Sequence, residues 1–213
     1  MLLLAFDTAT PAITVAVHDG TSVLARAGGV GSMAHGEWLV PFIDKAMREA
    51  RVTMADVTDV AVGVGPGPFT GLRVGVVTAL TLGATLGLKT HGVCSLDIIA
   101  AAVAEKREFL VATDARRKEV YWARYAPGGR RLEGPDVLKP ADLAARHPSL
   151  PVYGRGAALY VDLLAVAVGP TDPDAGILAE AVVGGVVEEF PLEPLYLRRP
   201  DATPQAAQKP KPA

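Results

Sequence analysis

Three short runs open the chain, residues 2–7, 12–18 and 21–27, in which apolar side chains dominate or alternate with polar ones. Thr10-Pro11 separates the first two and Asp19-Gly20 the last two. Asp-Gly favours tight hairpins, so the pattern predicts an antiparallel meander. From 35 to 51 the period lengthens: Trp38, Leu39, Phe42, Ile43, Ala46, Met47 and Ala50 recur at steps of three and four, with Glu37, Asp44, Lys45, Arg48 and Glu49 mostly elsewhere. That is an amphipathic helix, with Ser32 placed to cap it. Residues 59–64 read as a buried strand, 69–87 as a second helix stopped by Gly87, and 89–94 as a strand. A helix capped by Ser95 then runs to about 106. After Glu108 the pattern restarts, with strands at 109–113 and 119–125, a Gly128-Gly129 turn, and helical stretches near 141–146, 157–166 and 174–183. The order predicts an α/β protein with a first lobe over 1–106 and a smaller second lobe over 107–199. Residues 200–213 hold four prolines and little that is apolar, and read as a disordered tail.

The stretch from Gly65 to Gly87 is the least ordinary. Gly65-Pro66-Gly67-Pro68 joins a strand to a helix, where backbone amides can meet a phosphate. Pro66 and Pro68 remove two such donors and no Lys-Ser/Thr pair follows, so a rigid turn is the main reading and phosphate binding the alternative. Within the helix Gly71, Gly75, Ala79, Gly83 and Gly87 stand four apart, a stripe with almost no side chains. Each glycine costs ~1 kcal/mol relative to alanine, so the stripe implies a close contact in return. The other faces carry Leu72, Val74, Val76, Val77, Leu80, Leu82 and Leu86, and Arg73 is the one charge between Thr70 and Gly87. A helix apolar all round must be buried all round. The pattern predicts docking onto a second protein, with enclosure inside this chain as the alternative.

Composition narrows the function classes. Half of the 213 residues are hydrophobic and the net charge is −2, so no global basic field draws the chain to nucleic acid or anionic lipid. The one cysteine, Cys94, can form neither an internal disulfide nor a multi-cysteine zinc site, which fits a reducing, cytoplasmic setting. Leu2, Leu3 and Leu4 are cut short by Asp7 with no basic leader, and read as strand. The longest uncharged run, 74–88, falls short of the ~20 residues of a membrane span.

Five blocks then resemble one family in order along the chain. They are Leu3-Ala5-Phe6-Asp7-Thr8-Ala9-Thr10, the run from Gly65 to Gly75, Asp114-Ala115-Arg116 with Glu119 to Trp122, Tyr153 to Ala157, and Tyr196-Leu197-Arg198. Together they are similar to the TsaB (YeaZ) family, and the Phe69-Thr70-Gly71-Leu72-Arg73 block is the specific one; Pro68, commonly serine there, is a departure. The resemblance implies the two-lobed ASKHA fold of actin-like and hexokinase-like proteins. It also implies a non-catalytic subunit acting beside the catalytic paralogue TsaD and the ATPase TsaE. Their joint reaction moves a threonylcarbamoyl group from threonylcarbamoyl-AMP to N6 of adenosine 37 in tRNAs reading ANN codons. Dimerisation in that family uses the two first-lobe helices, which implies Trp38, Leu39, Phe42, Gly71, Leu72, Gly75, Val76, Ala79 and Gly83 as interface residues, and a homodimer when the chain is alone.

Chemistry of its own is sparse in the sequence. The catalytic paralogue holds its metal with His-x-x-x-His on the first helix, whereas Leu39 follows His35 at that spacing, so no metal site is implied and His35 reads as solvated or capping. Asp7, Thr8 and Thr10 resemble the first phosphate hairpin of the fold, either as a vestigial nucleotide site or as a local turn. At the second hairpin Ala115-Arg116-Arg117 follows Asp114 where a glycine and a small hydroxyl residue belong, so no cofactor is expected here, and ATP or ADP and a metal are expected on the partners. The rivals are a glycoprotease-like peptidase, with Cys94 near His91 or one of Ser22, Ser32, Ser95 and Ser149 as nucleophile, and a free-standing small-molecule kinase. Basic clusters at Arg116-Arg117-Lys118, Arg130-Arg131 and Arg198-Arg199 read as solvated turns or as auxiliary tRNA phosphate contacts.

Overall fold

The computed structural model describes residues 1–31 and 35–198. Ser32, Arg199 and the tail expected to be disordered lie outside the described residues. The meander forms as its turn residues require, with β1 (Leu3–Asp7), β2 (Ala12–His18) and β3 (Val23–Val30) antiparallel. Asp19 Oδ1 accepts from the amides of Thr21 and Ser22, both at 2.8 Å, which closes the Asp-Gly turn. Helix α1 (His35–Ala50) leads to β4 (Asp59–Gly65), α2 (Phe69–Leu86), β5 (Lys89–Cys94) and α3 (Ser95–Ala101). Strand β4 lies parallel to β1, and β5 parallel to β4.

Alternation along β1 sends its side chains to two different layers. Leu4 and Phe6 join Val15, Val62, Leu39, Ile43 and Val76 beneath α1 and α2, while Leu3 and Ala5 join Ala16, Ala61, Val93 and Ile98 on the opposite face. That opposite face is completed from far along the chain. Helix α6 (Ala175–Val183) lays Leu178 and Ala179 on it, and β10 (Glu189–Phe190) adds to the edge of β5, for a sheet order of β10-β5-β4-β1-β2-β3.

The second sheet, ordered β8-β7-β6-β9, uses β6 (Phe109–Asp114), β7 (Val120–Tyr125), β8 (Arg131–Leu138) and β9 (Val152–Tyr153). Leu143 of α4 (Pro140–Arg146) and Ala157 of α5 (Arg155–Leu159) cover one face with Trp122. Helix α3 fills the junction between the sheets through Leu96, Ile99 and Ala100 against Phe109, Val111 and Tyr125. There Tyr125 Oη donates to Asp97 Oδ1 at 2.7 Å and Arg131 Nε lies 3.5 Å from the same oxygen. Burial raises the Asp97 carboxyl, against the opposing pull of Arg131.

Several expectations are corrected. The second lobe does not run to 199, because α6 and β10 return to the first sheet and cover apolar surface that would otherwise face water. The 157–166 helix is only the single turn of α5, and α3 ends at Ala101. Ser95 does not cap α3; Cys94 holds the cap position and the Ser95 hydroxyl is used elsewhere. Strand β8 escaped the sequence reading because Gly134-Pro135 interrupts it, and as an edge strand it tolerates the missing amide.

Candidate docking interface and interlobe cleft

Helix α2 settles what the glycine stripe is for. Gly71, Leu72, Gly75, Val76 and Ala79 are buried against the chain's own sheet. A Cβ at Gly71 would sit 2.3 Å from the Thr8 carbonyl oxygen, one at Gly75 2.5 Å from Thr8 Oγ1, and one at Gly83 2.5 Å from Thr90 Cγ2. Thr8 Oγ1 donates to the Gly71 carbonyl at 2.7 Å, a bond that needs this close approach. Gly87 ends the helix in the left-handed conformation with its amide on the Gly83 carbonyl. The stripe is therefore a seam inside the protomer, and Gly71, Leu72, Gly75, Val76, Ala79 and the buried Leu39 are not placed to meet a partner. Gly83 is half-buried on the same seam.

The opposite face of α2 is the open one. Phe69, Arg73, Val77, Leu80 and Ala84 follow one another at helical steps and are exposed, Val77 by 55% and Leu80 by 46%. On α1, Val40 is exposed by 63% and Trp38 by 51%, with Trp38 stacked on the half-buried Phe42 at 5.8 Å. Of the expected interface residues, Trp38 and Phe42 thus reach the surface. Together with Ile13, Gly29, Val30 and Gly31 they line an open groove of about 250 Å³ beside the edge strand β3. By length and composition α2 is apolar enough to cross a membrane, yet one face of it is committed to the sheet.

Phe69 and Arg73 are held by a residue from the far end of the described chain. Tyr196 stacks on Phe69 at 5.2 Å and its hydroxyl accepts from Arg73 Nε at 3.0 Å, while the Arg73 guanidinium lies 3.7 Å over the Phe69 ring. Pre-set aromatic and arginine groups of this kind dominate binding energy in many interfaces. Sequence reasoning missed Val40, Arg73, Val77, Leu80 and Tyr196 as candidates. Placing the glycines toward the sheet would have found the three on α2, since large residues opposite a small-residue seam must face out; Val40, on α1, carries no such signal.

The cleft between the sheets holds the sequence-predicted Asp7, Thr8 and Thr10, all buried. Asp7 Oδ2 accepts from Ser95 Oγ at 2.6 Å, and Oδ1 from the Ala9 amide at 2.7 Å. Gly63 leaves room for this carboxylate, since a Cβ there would lie 1.7 Å from Oδ2. Burial lifts the Asp7 carboxyl to about 6, with the Ser95 and Ala9 bonds pulling the other way. Thr10 Oγ1 accepts from the Ala12 amide at 3.2 Å, and His35 Nε2 donates to the Thr10 carbonyl at 2.7 Å. His35 is thus a buried tie between α1 and the meander, a correction to the solvated or capping role. Only Thr10 of the three lines the remaining cavity, about 10 Å³ bounded also by Ala9, Pro11, Pro68, Thr113, Asp114, Arg116 and Arg155. Ligand sites occupy roughly 300 Å³ or more. The Gly65 to Pro68 loop closes the cleft from above, where a Cβ at Gly67 would lie 2.2 Å from the Ala9 carbonyl. The loop thus packs on the first hairpin, whose Asp7 and Thr10 side chains are engaged in bonds within the chain.

The turn from Ala115 to Glu119 closes the same cleft from the second sheet. Arg116, Arg117 and Lys118 take φ of 60°, 53° and 61° in succession. Each non-glycine residue held in this left-handed region costs about 1 kcal/mol. The Asp114 carboxylate accepts from the Arg116 amide at 2.8 Å and pairs with its guanidinium at 3.3 Å. Arg198 donates to the Ala115 carbonyl at 3.0 Å and pairs with Glu119.

Of the nucleophiles in the peptidase reading, Cys94 and Ser95 are buried, Ser22 and Ser149 are exposed, and Ser32 lies outside the described residues. Cys94 is fully buried and desolvation pushes its thiol far above the ordinary range, while His91 is engaged by Glu189 at 2.8 Å and Asp59 at 3.3 Å. Ser95 is buried on Asp7. Among the described residues no group of three His, Cys, Asp or Glu side chains gathers to hold a metal.

A meander followed by two parallel strands, helices on both faces, and a second smaller sheet across a cleft define an ASKHA protein of the actin-like and hexokinase-like class. The family model described as TsaD: tRNA N6-adenosine threonylcarbamoyltransferase matches residues 14–166, and the chain belongs to that family, on its TsaB (YeaZ) side. A Pseudomonas aeruginosa structure described as similar to peptidase YEAZ superposes with a TM-score of 0.77 at 29% identity, covering 92% of this chain and 99% of that one. Uncharacterized protein Rv3421c of Mycobacterium tuberculosis is 46% identical over 96% of this chain and 95% of its own length. The tRNA threonylcarbamoyladenosine biosynthesis protein TsaB of Escherichia coli is 34% identical over 59% of this chain and 55% of its own length, so the chain matches little more than half of that relative.

Proposed function

We propose that this chain is a non-catalytic subunit of tRNA threonylcarbamoyladenosine biosynthesis that docks through the outer face of α1 and α2 onto a TsaD-type catalytic subunit and works with a TsaE-type ATPase in the cytoplasm. The complex transfers threonylcarbamoyl from threonylcarbamoyl-AMP to N6 of adenosine 37. The carrying observation is the exposed apolar row Phe69, Val77 and Leu80 on α2, with Phe69 held by Arg73 and Tyr196, together with the exposed Trp38 and Val40 on α1. In this reading ATP or ADP and the metal belong on the partners. Family relatives named for threonylcarbamoyladenosine biosynthesis supply the substrate class. In isolation the same face pairs two copies of this chain.

Mixing the purified chain with its TsaD counterpart is expected to give a heterodimer on size exclusion at micromolar concentration. Modified adenosine should form only when this chain is present. Failure of the two to co-elute, or equal product without this chain, would sink the reading.

A further inference from the structure

We propose that residues 189–198 form a strap through which the second lobe sets the docking face, with Glu119 and Arg198 as its positioning residues. This deepens the function proposed above and rests on it. The strap runs from one sheet to the other through successive ties. Glu189 and Phe190 pair with Val93 and Gly92 of β5, and the Leu195 amide donates to the Val64 carbonyl at 2.8 Å. Tyr196 then reaches Phe69 and Arg73 on the first turns of α2. Two residues on, Arg198 meets the Ala115 carbonyl and the Glu119 carboxylate of the β6–β7 turn. Phe190 and Leu195 pack both on the core beneath α2 and on the junction core of Phe109 and Tyr125.

Between Pro191 and Arg198 the backbone joins no strand or helix, so its order depends on these ties. Before Tyr196 the chain is stiff. Pro191 and Pro194 fix their own torsions, and their carbonyls accept from the amides of Glu193 at 2.7 Å and Tyr196 at 2.9 Å. Beyond Tyr196 the polar ties are those of Arg198. Their anchor is a fixed unit, because the Ala115 amide donates to the Glu119 carbonyl at 3.0 Å and so holds together the carbonyl and the carboxylate that Arg198 meets. Both members of the ion pair are half-buried, where a charge-assisted contact is less screened than at an open surface. Neither belongs to the exposed row of α2. Releasing Arg198 frees the strap on one side of Tyr196, and Phe69 and Arg73 lose the ring and hydroxyl that set them before a partner arrives.

The test is a double-mutant cycle on pairing with the TsaD-type subunit. Glu119→Gln and Arg198→Gln are each expected to raise Kd about fivefold. In a Tyr196→Ala background, adding Glu119→Gln should change Kd less than about twofold, since there is nothing left to position. Full additivity would make Glu119 a direct contact or an unrelated residue and overturns the proposal, as does unchanged Kd in both single variants. Amide exchange on the isolated chain reads the strap without a partner. Glu119→Gln is expected to speed exchange at Leu195 and Tyr196 about tenfold and leave β1 and β4 as they are. Unchanged exchange at Leu195 overturns the proposal, and so does an equal rise over β1 and β4, which would make Glu119 a general stability residue. Asp162→Asn, the same charge change at an exposed site of the second lobe, should alter neither measurement. If the wild-type chains do not pair, the docking reading fails on its own account, and the exchange experiment alone decides whether the second lobe sets Tyr196.

Discussion

Asp7 is a carboxylate held where water does not reach, over a glycine that makes room for it. With its pKa raised to about 6, the folded chain keeps this proton between about pH 4 and 6, where the unfolded chain has lost it. Its contribution therefore turns against folding as pH rises through that window, and is fully unfavourable above pH 6, by about 3 kcal/mol. Asp7→Asn is expected to be more stable relative to wild type at pH 7 than at pH 4 by about that amount, read from urea unfolding at each pH. A pH-independent difference would contradict the burial argument. The seam glycines make the second residue-scale prediction. The stripe read from sequence alone invites Gly75→Leu as a variant that breaks assembly and spares folding. The structure reverses this: Gly71→Ala and Gly75→Leu press on Thr8 and should destabilise the isolated chain by about 3 kcal/mol, measured by denaturant titration with circular dichroism.

At the scale of elements, α2 serves two surfaces at once, small residues inward to Thr8, Val62 and Thr90 and large ones outward. Val77→Glu and Leu80→Arg are expected to leave stability within about 0.5 kcal/mol, because both side chains already face water. Each should weaken pairing with the TsaD-type subunit by about 2 kcal/mol, some thirtyfold in Kd, by calorimetry or ultracentrifugation. Tyr196→Ala is expected to weaken pairing as well, since it removes the stack and hydrogen bond that fix Phe69 and Arg73. Normal pairing in all three variants would move the interface elsewhere.

Over the whole molecule, the chain leaves the first sheet at α3, builds the second, and comes back to finish the first. Truncation after Pro170 removes α6 and β10 and uncovers Leu3, Ala5, Ala16 and Ala61. Such a chain is expected to lose cooperative unfolding and aggregate, whereas a first lobe confined to 1–106 would have predicted that lobe to stay intact. Most of the first lobe was legible because its elements are local: alternation marks β1 and β2, the three-to-four period marks α1, and Gly87 marks the end of α2. The β10 pairing and the α6 packing were not legible, since a two-residue strand carries no periodicity and a helix does not encode which sheet it covers.

The chain by itself determined the order of strands and helices as far as α3 and an unusually apolar second helix with a glycine stripe. Its motifs indicated the family. Those are properties of neighbouring residues, set by side-chain period, turn chemistry and short motifs. Only the tertiary structure decided that the stripe faces Thr8 and the sheet, that Asp7 spends its oxygens on Ser95 and Ala9, and that Tyr196 stands on Phe69. Each of these joins residues far apart in sequence through close packing, and which of two apolar helix faces meets the sheet depends on the shape of the surface waiting for it.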